Sequence, residues 1–321
     1  MIRTRTRTRT RTRTRTRVPL PHGFPDEPKV LTVSYPQKLE YTGSVSSPAG
    51  TTFRDRARFE ADRYGADGWV FVRELLQNAR DAGARRVRIE VGRQAGRDRI
   101  ICRDDGEGMS FAHAKRYLFT LYASSKRGRP RTAGRFGIGF WSVLRFAPGT
   151  IVIRSRPAGG EGWLVRLDGD LEKAIREPCE MERGTEVLLE RSAATDDLEA
   201  RVRNAVLRDA PFLDRRGRKR QPLEVTVNVS PVRAEMELPP PSLSFGRRGL
   251  RGVVGLGPEP RVEVFAHGLR VRDAAGLDEL LLAGRVGRTA MPTTAKGLAP
   301  RVVIDSANLS VRMARGDARE D

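Results

Sequence analysis

The stretch Glu74-Leu75-Leu76-Gln77-Asn78-Ala79-Arg80-Asp81-Ala82 governs how the rest of this sequence is read. Set on a helix, Glu74, Asn78 and Asp81 fall at i, i+4 and i+7 and share one face. Leu75, Leu76 and Ala79 point elsewhere and can pack on a sheet. The pattern predicts a helix over residues 70–82, and Gly83 stops it. A carboxylate one turn from a carboxamide suits a water-activating base beside an oxygen ligand for magnesium. On its own the pattern also fits an amphipathic helix with a polar face.

Downstream, residues 86–91 and 99–102 alternate like a strand pair, with residues 92–98 as the turn. The run Asp104-Asp105-Gly106-Glu107-Gly108-Met109 follows. Its glycines let the backbone approach a ligand closely, and a carboxylate at a strand end can accept a hydrogen bond from the amino group of a base. An acidic turn or part of a calcium loop are the alternatives. An EF-hand needs oxygen ligands at alternating positions ending in a glutamate, which the downstream residues do not supply. Ser110 can cap a helix reaching about Tyr122. A loop rich in Gly and Arg then leads to Gly134-Arg135-Phe136-Gly137-Ile138-Gly139-Phe140, with a helix from Phe140. Backbone N–H groups in a glycine turn at a helix N-terminus form an anion site. The spacing is neither the G-x-G-x-x-G of dinucleotide folds nor Walker A, which needs a following lysine. Residues 150–155, 162–167 and 185–189 look like three more strands.

In order and spacing, these three motifs resemble the N-box and two glycine boxes of the GHKL ATPase superfamily. That superfamily joins gyrase, the 90-kDa heat-shock chaperone, histidine kinases and the mismatch-repair protein MutL. Gly184-Thr185, at the start of a late strand, resembles the superfamily's Gly-Thr element. The resemblance covers roughly residues 53–190, after an extended lead-in at 18–52 with a short strand at 29–34. It implies a Bergerat-type α/β two-layer sandwich with a mixed, mostly antiparallel sheet. By the same resemblance Glu74 would be the general base, Asn78 would hold Mg²⁺, and Asp81 would support the pocket at its edge. Asp104 would accept the exocyclic amine of adenine, helped through water by Thr185. Gly106 and Gly108 would admit the adenosine, and Met109 would cover the adenine face. Gly134, Phe136, Gly137, Ile138, Gly139 and Phe140 would form the phosphate loop, cradling ATP with the backbone at Gly137 and Gly139. Residues 122–135 would be a mobile lid that excludes water, with Ser124, Ser125 and Lys126 as phosphate contacts. Histidine kinases usually lack the leading glutamate of the N-box, so Glu74 favours hydrolysis over transfer to histidine.

Residues 191–214 read as a charged helical linker, and 215–321 as a second, smaller α/β domain. Strands are expected at 223–229, 261–266 and 301–304, with a short helix at 276–283 and a Pro-rich loop at 238–241. Residues 261–271 and 301–315 resemble the start of the middle domain of the 90-kDa heat-shock chaperones, which makes that family the nearest match within the superfamily. On that alignment Arg315 matches the arginine that reaches the γ-phosphate and stabilises the phosphoryl transition state. Ala314 and Gly316 depart from the family's serine and glutamate, and a surface arginine in a basic tail is the alternative. The chaperone family continues into more middle domain and a dimerisation domain, whereas this sequence stops six residues after Arg315. A fragment and a short divergent member are both consistent with that.

Composition sets the outer bounds. Aromatic residues are only 6%, so the core must lean on Val, Leu, Ile and Ala. No window approaches the roughly 18 apolar residues a membrane helix needs, and no secretory signal is present. Two cysteines and three scattered histidines allow neither a disulfide framework nor a zinc motif. The expectation is a soluble, cytoplasmic protein. Residues 3–17 alternate Arg and Thr strictly; without their eight arginines the net charge falls from +20 to +12. Such an arm (residues 1–17) is expected to be disordered; it could bind nucleic acid or acidic lipid through counterion release, but a repeat expansion or a misplaced start codon is the favoured alternative, since like charges on an unfolded arm imply no specificity. The expected function is ATP binding and Mg-dependent hydrolysis coupled to closure on a protein client, as in a chaperone. A DNA-associated ATPase akin to MutL or gyrase and a nucleotide-sensing module are the alternatives, and an ATP-dependent homodimer stays open.

Overall fold

The computed structural model describes residues 53–119, 139–172, 174–213, 222–275 and 297–307. Two sheets organise them. The first has the order β5-β4-β3-β6-β2-β1-β7-β8. In chain order its strands are β1 (Arg86–Gln94), β2 (Arg97–Asp104), β3 (Thr150–Arg156), β4 (Trp163–Asp168), β5 (Ala174–Pro178), β6 (Gly184–Arg191), β7 (Glu224–Val227) and β8 (Ser230–Pro231). Every pairing is antiparallel except β1 with β7. The inward residues of the central strands, among them Val87, Ile89, Ile100, Ile151, Ile153, Val187 and Leu189, are buried against a layer of helices. That layer comprises α1 (Phe53–Asp62), α2 (Val70–Asp81), α3 (Phe111–Tyr117), a 3-10 helix (Gly139–Phe146) and α4 (Leu198–Asp209). This is the expected two-layer sandwich with a mixed, mostly antiparallel sheet.

α2 forms where its pattern predicts, and the left-handed φ of +70° at Gly83 ends it. Leu76 has no exposed surface, so truncating it to alanine should cost about 2–5 kcal/mol. The β1–β2 hairpin is longer than expected, because its turn is only Ala95-Gly96, both at positive φ, and Gly92 sits within the strand. α3 stops short of Tyr122: the amides of Leu118 and Phe119 both donate to the Ala114 carbonyl, and Trp141 Nε1 takes the Leu118 carbonyl at 3.0 Å. The helix expected from Phe140 is a 3-10 turn, with the Ser142 hydroxyl donating to the Gly139 carbonyl at 2.7 Å.

β7 and β8 lie C-terminal to α4 yet join the first sheet, placing Val225 and Val227 beside Val87 and Ile89. The second sheet has the order β12-β11-β13-β10-β9. Its strands are β9 (Ser242–Arg247), β10 (Leu250–Gly257), β11 (Arg261–Ala266), β12 (Leu269–Ala274) and β13 (Ala299–Ser306). One face packs Val253, Phe265 and Val303 on Phe212 and Met236. The Arg-Thr arm, the lead-in strand at 29–34, the lid and the helix at 276–283 lie outside the described residues.

Candidate nucleotide-binding site

The site begins with a row of side chains that crosses five strands on the helix-covered face. The registers Val87↔Asp104, Asp104↔Thr185, Thr185↔Ser155 and Ser155↔Trp163 set these five residues side by side. Val87 and Trp163 are core residues, so three polar side chains are held between apolar ends.

Among the described residues, Asp104 receives hydrogen bonds only from main-chain donors. The Gly106 N–H reaches its Oδ1 at 2.8 Å, and the Thr185 N–H bonds the same carboxylate. Burial pushes the Asp104 carboxyl up to about 6, against the pull of those two N–H groups. The neighbouring Asp105 does the opposite: its burial is outweighed by the Arg86 and Arg85 amides and the Arg86 side chain, which hold it below the usual carboxylate range. Asp105 therefore staples the loop, and Asp104 keeps lone pairs to spare.

The first glycine loop is fixed from both sides. The Glu107 N–H donates to the Ala82 carbonyl at 2.9 Å, which seats the loop on the end of α2 and joins the first two motifs. Met109 is clamped further on, its N–H donating to Ser155 Oγ at 2.9 Å and its carbonyl accepting from Trp163 Nε1 at 2.7 Å. Gly108 lies between with φ +64°, and a Cβ there would meet the Arg156 carbonyl oxygen at 2.1 Å. Only glycine fits so close an approach.

α2 contributes the other chemistry. Glu74 is 3% exposed, and Asn78 and Asp81 are half-buried one and two turns further along the same face. Arg73 Nη2 lies 3.1 Å from Glu74 Oε1. Burial would lower the Arg73 pKa, but the Glu74 and Asp209 carboxylates outweigh it and leave the guanidinium more firmly charged than usual. At the far end of α2, Arg80 Nη1 donates to the His267 carbonyl at 2.8 Å, tying the helix to the β11–β12 turn.

The structure thus brings together Glu74, Asn78 and Asp81 on one helix, and Asp104, Gly106, Gly108, Met109 and Thr185 around one strand end. Gly139 and Phe140 open the 3-10 helix, where the Phe140 ring packs 5.2 Å from Trp141. Ser124, Ser125, Lys126, Gly134, Phe136, Gly137, Ile138 and Arg315 lie outside the described residues. Sequence reasoning missed Ser155, Trp163 and Arg73. The one available signal was Ser155 continuing the inward alternation of Ile151 and Ile153, a polar residue where another apolar one is due.

Among the described residues no cluster of three or more His, Cys, Asp or Glu could hold a metal by itself. A magnesium ion seldom needs one, since phosphates and water supply most of its ligands. The fold and this row of residues are those expected of a nucleotide-binding domain without a P-loop. Residues 67–171 match the family described as histidine kinase-, DNA gyrase B-, and HSP90-like ATPase. That domain of the chain is a GHKL ATPase domain.

Relatives come from two branches. The DNA mismatch repair protein MutL of Thermus aquaticus is 41% identical over 93 residues, 28% of this chain and 17% of MutL. The chaperone protein HtpG of Methylobacterium nodulans is 29% identical over 157 residues, 40% of this chain and 25% of HtpG. The mitochondrial heat shock protein 75 kDa of Bos taurus is 29% identical over 172 residues, 45% of this chain and 24% of that protein. The chain therefore spans a quarter or less of each of these relatives, at 17%, 25% and 24%. Among the described residues no helix is long and apolar enough to cross a membrane.

Proposed function

We propose that this chain binds ATP with Mg²⁺, hydrolyses it, and uses the cycle to change its own conformation. The observation that carries the reading is Asp104, a half-buried carboxylate with no ion pair among the described residues, beside a hydroxyl and a glycine loop that admits no Cβ. A charge drawn this far out of water with lone pairs to spare is costly unless a ligand uses them.

In this reading Asp104 accepts the exocyclic amine of adenine, and Met109 covers the ring. Asn78 offers its carboxamide oxygen to the metal, and the glycine loop 134–139 cradles the phosphates. Bound magnesium supplies charge neutralisation across the phosphate oxygens. Glu74 orients a water and takes its proton, while Arg73 holds the Glu74 carboxylate in place. Arg315 contributes positive charge at the γ-phosphate. A titration of the purified chain with Mg-ATP, beside Asp104→Asn, tests the reading. Binding that survives Asp104→Asn at full strength contradicts it.

The client is most simply a protein, acted on by ATP-driven closure, a reading favoured by the similarity to the chaperone protein HtpG. A DNA-directed role is the second reading, favoured by the 41% identity to MutL and the net charge of +20. Salt-sensitive DNA binding that tightens with ATP supports the second, and suppressed aggregation of a client without DNA affinity supports the first. Tight ATP binding with very slow turnover instead marks a nucleotide sensor.

A further inference from the structure

Ser155 has no exposed surface, yet three elements of the site meet on its hydroxyl. Its Oγ lies 2.9 Å from the Met109 nitrogen, 2.9 Å from the Gly184 carbonyl oxygen and 3.0 Å from Thr185 Oγ1. A serine hydroxyl has one hydrogen to give and two lone pairs to receive. The Met109 N–H can only donate, so it occupies one lone pair. The Gly184 carbonyl can only accept, so it takes the one hydrogen. The contact with Thr185 then exists only if Thr185 is the donor. Its hydroxyl hydrogen points back at Ser155, and what Thr185 Oγ1 retains on its partly exposed side is lone pairs.

Thr185 stands directly opposite Asp104 in the β2–β6 register. The Gly106 and Thr185 amides already donate to that carboxylate. The wall at this point therefore offers two acceptors side by side and no hydrogen. We propose that Ser155 is a positioning residue that sets purine specificity, locking the Thr185 hydroxyl as an acceptor so that the wall takes a base edge bearing an amine and rejects one bearing a carbonyl. The inference rests on the ATP reading and deepens it by naming the residue that fixes which way the Thr185 hydroxyl points. A site that leaves its polar groups facing a like group discriminates far more strongly than one that differs only in shape.

The test compares Mg-ATP with Mg-ITP, in which a carbonyl replaces the amine, by calorimetric titration in a Glu74→Ala background that prevents turnover. The parent should bind ATP well and ITP poorly. Ser155→Ala frees the Thr185 hydrogen, and the ATP:ITP affinity ratio should fall about tenfold, the worth of one hydrogen bond. In a Thr185→Val background the same change should leave the ratio alone, because no hydroxyl remains to be released. Thr185→Ser, which needs no change at Ser155, should keep the parental ratio. A ratio unmoved by Ser155→Ala, with both nucleotides weakened alike, overturns the inference and leaves Ser155 a structural residue. A ratio that falls in Thr185→Ser also overturns it, since the threonine methyl would then be the constraint. A parent that binds neither nucleotide overturns the ATP reading itself, and the inference with it.

Discussion

Asp104 and Asp305 are both carboxylates on strands, the first half-buried at the end of β2 in the first sheet and the second buried within β13 in the second, and they are satisfied in opposite ways. Asp305 accepts the Gly268 N–H on one oxygen at 2.8 Å and the Arg251 guanidinium on the other, with Nε at 3.0 Å. The acidic residues around it repeat the theme: Glu263 is shared among Arg261, Arg270 and Arg301. Among the described residues Asp104 has main-chain donors alone, and its carboxyl rises to about 6. A charge balanced by a side chain of its own chain is part of the scaffold. One balanced incompletely, beside a glycine loop, is a place for something else to bind.

That contrast can be broken by mutation, and the largest effect belongs to neither aspartate. Glu74→Ala should reduce phosphate release from Mg-ATP by about 10²-fold or more while ATP still binds, because only the proton acceptor is lost. Asp104→Asn should weaken ATP by about 100-fold, as expected for losing a charged hydrogen-bond partner, with the folded state intact by circular dichroism.

The next effect is on pH. The ionised carboxylate is the form that accepts an amine, so ATP affinity should be level above about pH 6 and decline below it. The decline should approach about tenfold per pH unit, and titration near pH 6 should register proton release on binding. Arg103 and Asp105 are the charged neighbours acting on this group, in opposite directions. The stability effect has the reverse sense. The native carboxyl holds its proton up to about 6, where the ordinary aspartate value is 3.8, so its stabilising contribution is complete below the latter and is lost as pH rises through the former.

The smallest effect should fall on Asp305→Asn. It should lower the unfolding free energy by about 1–2 kcal/mol, a partly exposed pair being worth less than a fully buried one, and leave ATP affinity unchanged. Loss of ATP affinity in that variant would erase the distinction between the two carboxylates.

How much of this was legible in the sequence depends on how local each feature is. α2 could be read because its spacing, its apolar face and Gly83 all lie within fourteen consecutive residues, 70–83. Asp104 and Gly108 could be read because the loop follows its strand directly. The partner of β7 could not, since Val225 and Val227 alternate in the same way wherever that strand pairs, and its parallel register with β1 spans more than a hundred residues of chain. β9 and β10 were hidden by Gly246, Gly252, Gly255 and Gly257, which look like loop residues until the Phe245 ring is seen covering Gly252. Ser155 is the sharpest case. Its meaning comes from Met109, Gly184 and Thr185, and no spacing in the sequence announces that three remote atoms share one hydroxyl.

The most direct test sets Glu74→Ala and Asp104→Asn beside the parent, measuring Mg-ATP affinity and steady-state phosphate release on the same preparations. The account predicts that the parent binds and turns over, that Glu74→Ala binds without turnover, and that Asp104→Asn binds about 100-fold more weakly and loses turnover with it. Equal turnover in the parent and Glu74→Ala, or undiminished ATP binding by Asp104→Asn, would contradict it.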